Sequence, residues 1–306
     1  MDTGVDDALA ILLAIRSPRL DVRAITCVAG NAAVDQVVAN TLKVLDVAGA
    51  GDIPVARGAD RPLLEPVRDA RHVHGEDGMG DLGLPESPRQ PVPGHAVELL
   101  RRTIADGPLT LITLAPLTNV ALLLRTYPEV AGQLERIVVM GGSASGGNVT
   151  AAAEFNVRHD PEAAAIVLGA CLPVTMYGLD VFYDVTVDRA NSRRLAAATE
   201  PAAQLAGRLL EHQLSRYRGE GSLGDAGAVA AVIDPAGLLR TVRCPVRVEL
   251  AGQATRGQTV VDRRDWSGDL DNDPHEASLP PAALVDVALA VDAVRYRELF
   301  LAAVAG

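Results

Sequence analysis

Three of the first seven residues in MDTGVDDALA are aspartates: Asp2, Asp6 and Asp7. A helical pattern starts at once, with Ala10, Ile11, Ala14 and Ile15 on one face as far as Ser17-Pro18. Acids in a first helical turn complement the positive end of the helix dipole by about 0.3–1 kcal/mol each. That accounts for Asp6 and Asp7 but not for Asp2. More oxygen-bearing side chains follow: Asn31 in AGN, then Asn148, Glu154 and Asn156 in GGSASGGNVTAAAEFN, and Asp225 in LGDAGAVAAVIDP. Alone, each has a modest explanation: Asn31 and Asp225 as helix caps, Asn148 as a turn residue, Glu154 as a solvated acid. Gathered in one crevice, the four aspartates repel one another unless a cation sits among them. An all-oxygen set favours a hard ion, and Ca²⁺ accepts about 6–8 oxygens in flexible geometry.

Such a gathering needs elements that bring distant segments to one edge. The apolar pattern predicts strands at Val22–Val28, Ile53–Val55, Leu109–Leu114, Arg136–Met140 and Val174–Tyr177. Helices are expected between them at Val34–Ala48, Ala96–Ala105, Thr118–Tyr127 and Pro161–Leu168, with a long Pro/Gly/His-rich loop over Arg57–Gly94. This alternation predicts an α/β fold: an open, mostly parallel Rossmann-like sheet with helices on both faces. Beyond Asp188 the pattern turns helical (Ala190–Ala198, Ala202–Tyr217, Asp225–Ile233), giving a helical C-terminal portion. Strands at Val246–Leu250, Gln258–Val261 and Leu284–Ala290 and a helix at Asp292–Ala303 complete it. With no repeat or linker visible, residues 1–306 are expected to form one domain. Ligands in open parallel sheets bind beyond the carboxyl ends of the strands, where Asn31, Leu114, Met140 and the GGSASGG loop fall.

Composition narrows the partners. The formal charge is −11, Lys43 is the only lysine, and no basic stripe is present, which argues against nucleic acid and anionic membrane. Cys27, Cys171 and Cys244 are scattered among apolar neighbours and are expected to be reduced core thiols of a cytoplasmic protein. No signal-peptide pattern or membrane span is visible. The acidic segment Asp269–Pro280 begins like a Ca²⁺ loop but has Pro274 where such a loop needs Gly, and reads as a solvated surface loop. An Asp-nucleophile phosphatase would need a downstream Lys partner, and Lys43 lies in mid-helix.

MDTGVDDALA resembles the D-x-D-x-G-x-D-D signature of the inosine–uridine type nucleoside hydrolases, without its first Asp. The resemblance continues through VAGNAAVDQVVANTLKVL, HGEDGMGDLGLP, LAPLTNVALLL, IVVMGGSASGGNVTAAAEFNVRHDPEAA, GLDV, GDAGAVAAVIDP and VELAGQATRGQTVVD, and so covers essentially the whole chain. It implies hydrolysis of ribonucleosides to ribose and free base, with one Ca²⁺ and a homodimeric or homotetrameric assembly. By motif, Asp2, Asp7, Asp225 and the Leu114 carbonyl would hold the ion. Asp2 would take the proton of the attacking water, which Asn31 would orient. Asp6, Asn148, Glu154 and Asn156 would hold the ribose hydroxyls, Met140 would lie against the sugar, and His74 would line the base side.

Two departures stand out. Gly224 replaces a His that, in one large group of the family, helps protonate the leaving base, and Phe182 replaces a common Thr. Tyr217, His212, His74 or Trp266 could compensate for the missing acid, with Tyr217 the first choice and Trp266 a possible stacking partner. The missing His also keeps a rival reading open, a nucleoside- or ribose-binding protein without turnover. Family members place an apolar interior strand before the first Asp; here Met1 matches the x of D-x-D, so neither the strand nor the first Asp is present in the sequence. The expectation is therefore that the natural start lies upstream and that Asp2 sits on a frayed end.

Overall fold

The computed structural model describes residues 1–216, 221–264, 279 and 282–305. Tyr217, Trp266 and nearly all of the acidic segment 269–280 lie outside the described residues.

A six-stranded sheet carries the fold. Its order is β3 (Leu109–Thr113), β4 (Leu134–Met140), β5 (Val174–Tyr177), β10 (Ala283–Val291), β8 (Leu238–Val248) and β9 (Thr259–Val261). The pairs β3–β4, β4–β5 and β5–β10 are parallel, whereas β10–β8 and β8–β9 are antiparallel. A parallel pair, β1 (Ile25–Cys27) and β2 (Val55–Arg57), lies apart, and β6 (Thr186–Val187) and β7 (Gly221–Ser222) form a small ribbon. The predicted α/β class and mostly parallel sheet therefore hold. The antiparallel edge starts earlier than the pattern predicts, because exposed Arg240 and Arg243 interrupt the apolar signal of β8.

Alternation along the strands separates two cores. Val138 and Met140 of β4 face one cluster, which includes the long buried helix α1 (Val5–Arg16), while Ile137 and Val139 face the other. Helices α2 (Val34–Val47), α10 (Pro201–Arg216), α11 (Asp225–Ile233) and the C-terminal α12 (Ala293–Ala305) pack on the first side. On the second side lie α4 (Ala96–Ala105), α5 (Thr118–Thr126) and α7 (Pro161–Leu168). Helices α1 and α11 are apolar nearly all round, which is how a helix buried on every side reads. The long loop predicted over 57–94 holds one short helix, α3 (Arg71–His74). Two further short helices, α6 (Phe155–His159) and α8 (Leu179–Phe182), and α9 (Arg189–Ala196) fill the remaining connections.

Met1 is tied to β1 by both its backbone groups: its amino group donates to the Thr26 carbonyl at 2.6 Å, and its own carbonyl accepts from the Val28 N–H at 3.0 Å. Asp2 is accordingly fully buried, contrary to the frayed end expected from the sequence. Between β1 and β3 runs an apolar groove of about 410 Å³ lined by Ile11, Ile15, Ile25 and Leu111. Cys27 and Cys244 are buried as predicted, but Cys171 is exposed, in a turn before β5 with φ +56°. No helix among the described residues is long and apolar enough to cross a membrane.

Candidate active site

The N-terminal acids are placed by local chain geometry. Gly4 caps α1, and its N–H donates to Asp7 Oδ2 at 2.9 Å while the Asp7 N–H donates to Asp6 Oδ1 at 3.2 Å. Asp6 and Asp7 thus serve the first turn as the sequence predicts, and Asp7 is also fully buried. Asp2 is fixed from the neighbouring strand: its Oδ2 accepts the Asn31 N–H at 2.8 Å. The chain passes so close at Gly30 that a Cβ there would sit 2.0 Å from that oxygen. Asn31 bridges the pair, since its Nδ2 donates to Asp7 Oδ2 at 3.1 Å. Asp225 arrives from the first turn of α11, also buried.

Asp6, Asp7 and Asp225 each present a carboxylate oxygen within 4.8 Å of the others. Asp2 stands beside Asp7, and one oxygen of each (Asp2 Oδ1, Asp7 Oδ1) is buried with no hydrogen-bond donor among the described residues. Burial first, and then the Asp7 charge, push the Asp2 carboxyl well above its ordinary range. Burial and the neighbouring Asp6 push Asp7 up in the same way. Asp225 is raised by burial and by Asp6, Asp7 and Asp2 together. Buried, unpaired carboxylate oxygens cost far more than they return unless a counter-charge meets them. An all-oxygen nest of this kind fits a hard divalent cation, in keeping with the chemistry of the donor set.

A cleft of about 390 Å³ opens from this nest. Of the residues singled out from the sequence, Asp6, Asn31, His74, Leu114, Met140, Asn148, Glu154, Asn156 and Asp225 line it. Glu154 is buried, not solvated: it caps α6, with Oε1 accepting from Asn156 N–H at 2.9 Å and Oε2 from the N–H groups of Val157 and Gly142 at 3.0 Å. Burial raises its pKa, and these backbone donors oppose the rise. Asn156 reaches across the strand ends, its Nδ2 donating to the carbonyls of Leu114 (3.3 Å) and Met140 (3.2 Å) and to the Met140 sulfur (3.4 Å). The exposed Asn148 accepts from the Phe155 N–H at 2.9 Å. His74 is buried, with Nδ1 accepting from the Val5 N–H at 3.2 Å and lying 3.8 Å from Asp6 Oδ1.

Some functional neighbours escaped sequence reasoning. Asp180 pins the glycine-rich loop by accepting from Ala144 N–H and Ser145 Oγ, both at 2.7 Å, and so holds the segment that carries Asn148. Thr259 on β9 fixes the same loop through both backbone groups of Ser143. The only signal for Asp180 was its place three residues after a strand end, in GLDV. Phe182, Phe155, His72 and Gln213 also line the cleft. Phe182 fills the space beside Gly224, where φ is +51°.

Comparison with known proteins agrees with this geometry. A family profile described as inosine-uridine preferring nucleoside hydrolase matches residues 1–298. The pyrimidine-specific ribonucleoside hydrolase RihA of Photobacterium profundum is 42% identical over 270 residues, 86% of this chain and 87% of the relative. The protein of the same name from Citrobacter koseri is 41% identical over 279 residues, 89% of each chain. Among solved structures, a purine-preferring ribonucleoside hydrolase from Gardnerella vaginalis superposes with a TM-score of 0.89 at 30% identity, covering 100% of this chain and 96% of that one. An inosine-guanosine nucleoside hydrolase gives 0.87 at 32% identity, covering 99% and 97%. With profile, sequence and fold in agreement along nearly its whole length, the chain belongs to the inosine–uridine preferring nucleoside hydrolase family.

Proposed function

We propose that this nucleoside hydrolase splits the N-glycosidic bond of ribonucleosides at the Asp2/Asp7/Asp225 nest, with Asp2 as the base and Ca²⁺ as the resident ion. The observation that carries the reading is the pair of buried oxygens on Asp2 and Asp7 that have no partner among the described residues, next to Asp6, Asn31 and Asp225 of the cleft lining. Asp2, Asp7, Asp225 and the Leu114 carbonyl are the groups that would hold the ion, with Asp6 close by. Bound there, the ion supplies positive charge that holds and acidifies a water.

The side chains do the rest. Asp2 accepts a proton from the attacking water as general base. Asn31, which donates to Asp7 and takes its own place from Asp2, keeps the carboxylates oriented toward that water. Charge builds on the ribose as in O-glycoside hydrolysis, toward an oxocarbenium ion, and Glu154 and the aspartates set negative charge beside it. Asp6, Asn148, Glu154 and Asn156 hold the sugar hydroxyls, Met140 packs on the sugar, and His74 faces the base side. Contacts that tighten as the sugar flattens lower the barrier more than contacts made equally in the ground state. The names of the relatives near 40% identity support a pyrimidine base.

The test is release of free base and reducing sugar from uridine, cytidine and inosine, before and after exhaustive chelation. Ca²⁺-dependent release, larger for uridine than for inosine, is the expected result. Binding of ribose or nucleoside with no release would support the rival reading of a binding protein.

A further inference from the structure

The cleft needs a proton donor for the departing base, and position 224 cannot supply one. Gly224 has no side chain, and one added there would meet the Phe182 ring at 2.7 Å. Among the described residues that line the cleft, the histidines are His72, His74 and His212. His74 uses Nδ1 to accept the Val5 N–H, and burial lowers its pKa, so it is a poor source of a proton. His72 is solvent-exposed. His212 differs from both. It projects from α10 four residues before the helix ends, it is only partly exposed, and its Nε2 is buried with no partner among the described residues. A buried ring nitrogen left unpaired is unfavourable, and a ligand group at the cleft would give it a partner.

The ring is held in place. It packs on the backbone of Gly80, whose added Cβ would lie 3.2 Å from His212 Cγ. Helix α10 is clamped to the same loop by Arg208, which donates to the Leu82 carbonyl at 2.6 Å, and by Arg216, which donates to the His72 carbonyl at 2.8 Å. The charged and titratable groups around it are Asp81 and His74 on the loop and Arg216 on its own helix. Glu211 is engaged elsewhere, with Ser192 and Arg189.

We propose that His212 donates the proton that lets the base leave, taking the role that Gly224 cannot fill. This rests on the nucleoside hydrolase reading above. The C1′–N bond breaks and its electron pair passes to the base, which takes the proton from His212 Nε2. Water adds its oxygen to C1′ and gives one proton to Asp2. Exchange with solvent then recharges the imidazole and discharges the carboxyl, so the net change consumes one water.

The experiment compares wild type, His212→Ala and His212→Gln on uridine and on a 4-nitrophenyl riboside, whose leaving group departs as an anion without a proton. His212→Ala should lose about 10²-fold or more in kcat on uridine and stay within a few-fold on the nitrophenyl riboside. The decline of wild-type uridine kcat at high pH should vanish in His212→Gln. Equal losses on both substrates, or no loss on uridine, would overturn the proposal. Turnover of neither substrate by wild type would instead overturn the reading on which it rests.

Discussion

Phe182 Cζ lies 2.7 Å from where a Cβ on Gly224 would stand. The two departures from the family pattern are therefore one packing unit: the ring at 182 occupies the space that a side chain at 224 would need. Gly224 also sits at φ +51°, a left-handed conformation that costs a non-glycine residue about 1–3 kcal/mol.

Restoring only the histidine should accordingly fail. Gly224→His is expected to lower the melting temperature by several degrees and to leave uridine turnover no higher than wild type. Combined with Phe182→Thr, it should lose less stability than the two single losses summed, a coupling that a double-mutant cycle reads directly. Simple additivity of the two melting shifts would show that the ring does not control position 224.

The aspartate nest predicts a trade between stability and function. Asp7 is buried, and burial and Asp6 raise its pKa, so in the metal-free protein its charge is a cost at any pH above that raised value. Stability is lost to this charge as pH rises from 3.8 to about 7, and the loss is constant above. Asp7→Asn should therefore melt higher than metal-free wild type at pH 8, yet show no gain on adding Ca²⁺ and almost no turnover. Wild type should rise with Ca²⁺, by mass action on the folded state. A metal-free Asp7→Asn protein that melts below wild type at pH 8 would contradict this account.

Ribose recognition predicts selectivity. Glu154 and Asn156 are buried and held by several backbone contacts each, so neither can turn away when a hydroxyl is missing. A site that leaves buried polar groups unpaired discriminates by about 10⁴. Uridine should exceed 2′-deoxyuridine by that order in kcat/KM; comparable values would remove Asp6, Glu154 and Asn156 from the sugar site.

Two groups away from the nest set separate acid limits. His159 is buried with both ring nitrogens unpartnered among the described residues, and burial, helped by Arg68, lowers its pKa to about 4. A base with a lowered folded pKa binds its proton more readily when unfolded, so the stability is whole above pH 6.5 and is lost as pH falls toward 4, by about 3 kcal/mol at most. Glu65 on the long loop is pushed up by burial, but hydrogen bonds from Arg256, Arg68 and Arg158 outweigh this and hold it at about 2. Its contribution is present above pH 4.5 and is lost between 4.5 and about 2. Melting curves of His159→Leu and Glu65→Gln against wild type should flatten in those two different windows. If both variants track wild type through the acid range, neither group carries the acid sensitivity.

The alternation of apolar runs with helices, such as Pro161–Leu168 with its Asp160 cap, determined the sheet and its helices from sequence alone, because burial pattern and caps act within a few residues. The oxygen-rich residues at strand ends were legible for the same reason: a parallel sheet puts the carboxyl ends of its strands on one edge whatever their sequence separation. What tertiary structure decided were contacts between segments far apart in the chain. Glu154 reads as a surface acid, yet its own helix folds back so that three backbone donors meet it inside the cleft. Asp180 bonds a loop more than 30 residues earlier in the chain, at Ala144 and Ser145, and no local pattern records that. Phe182 and Gly224 look like two unrelated substitutions until the ring is seen filling the glycine's empty space. Local preferences place elements, whereas the partner of a buried side chain depends on which distant backbone closes over it.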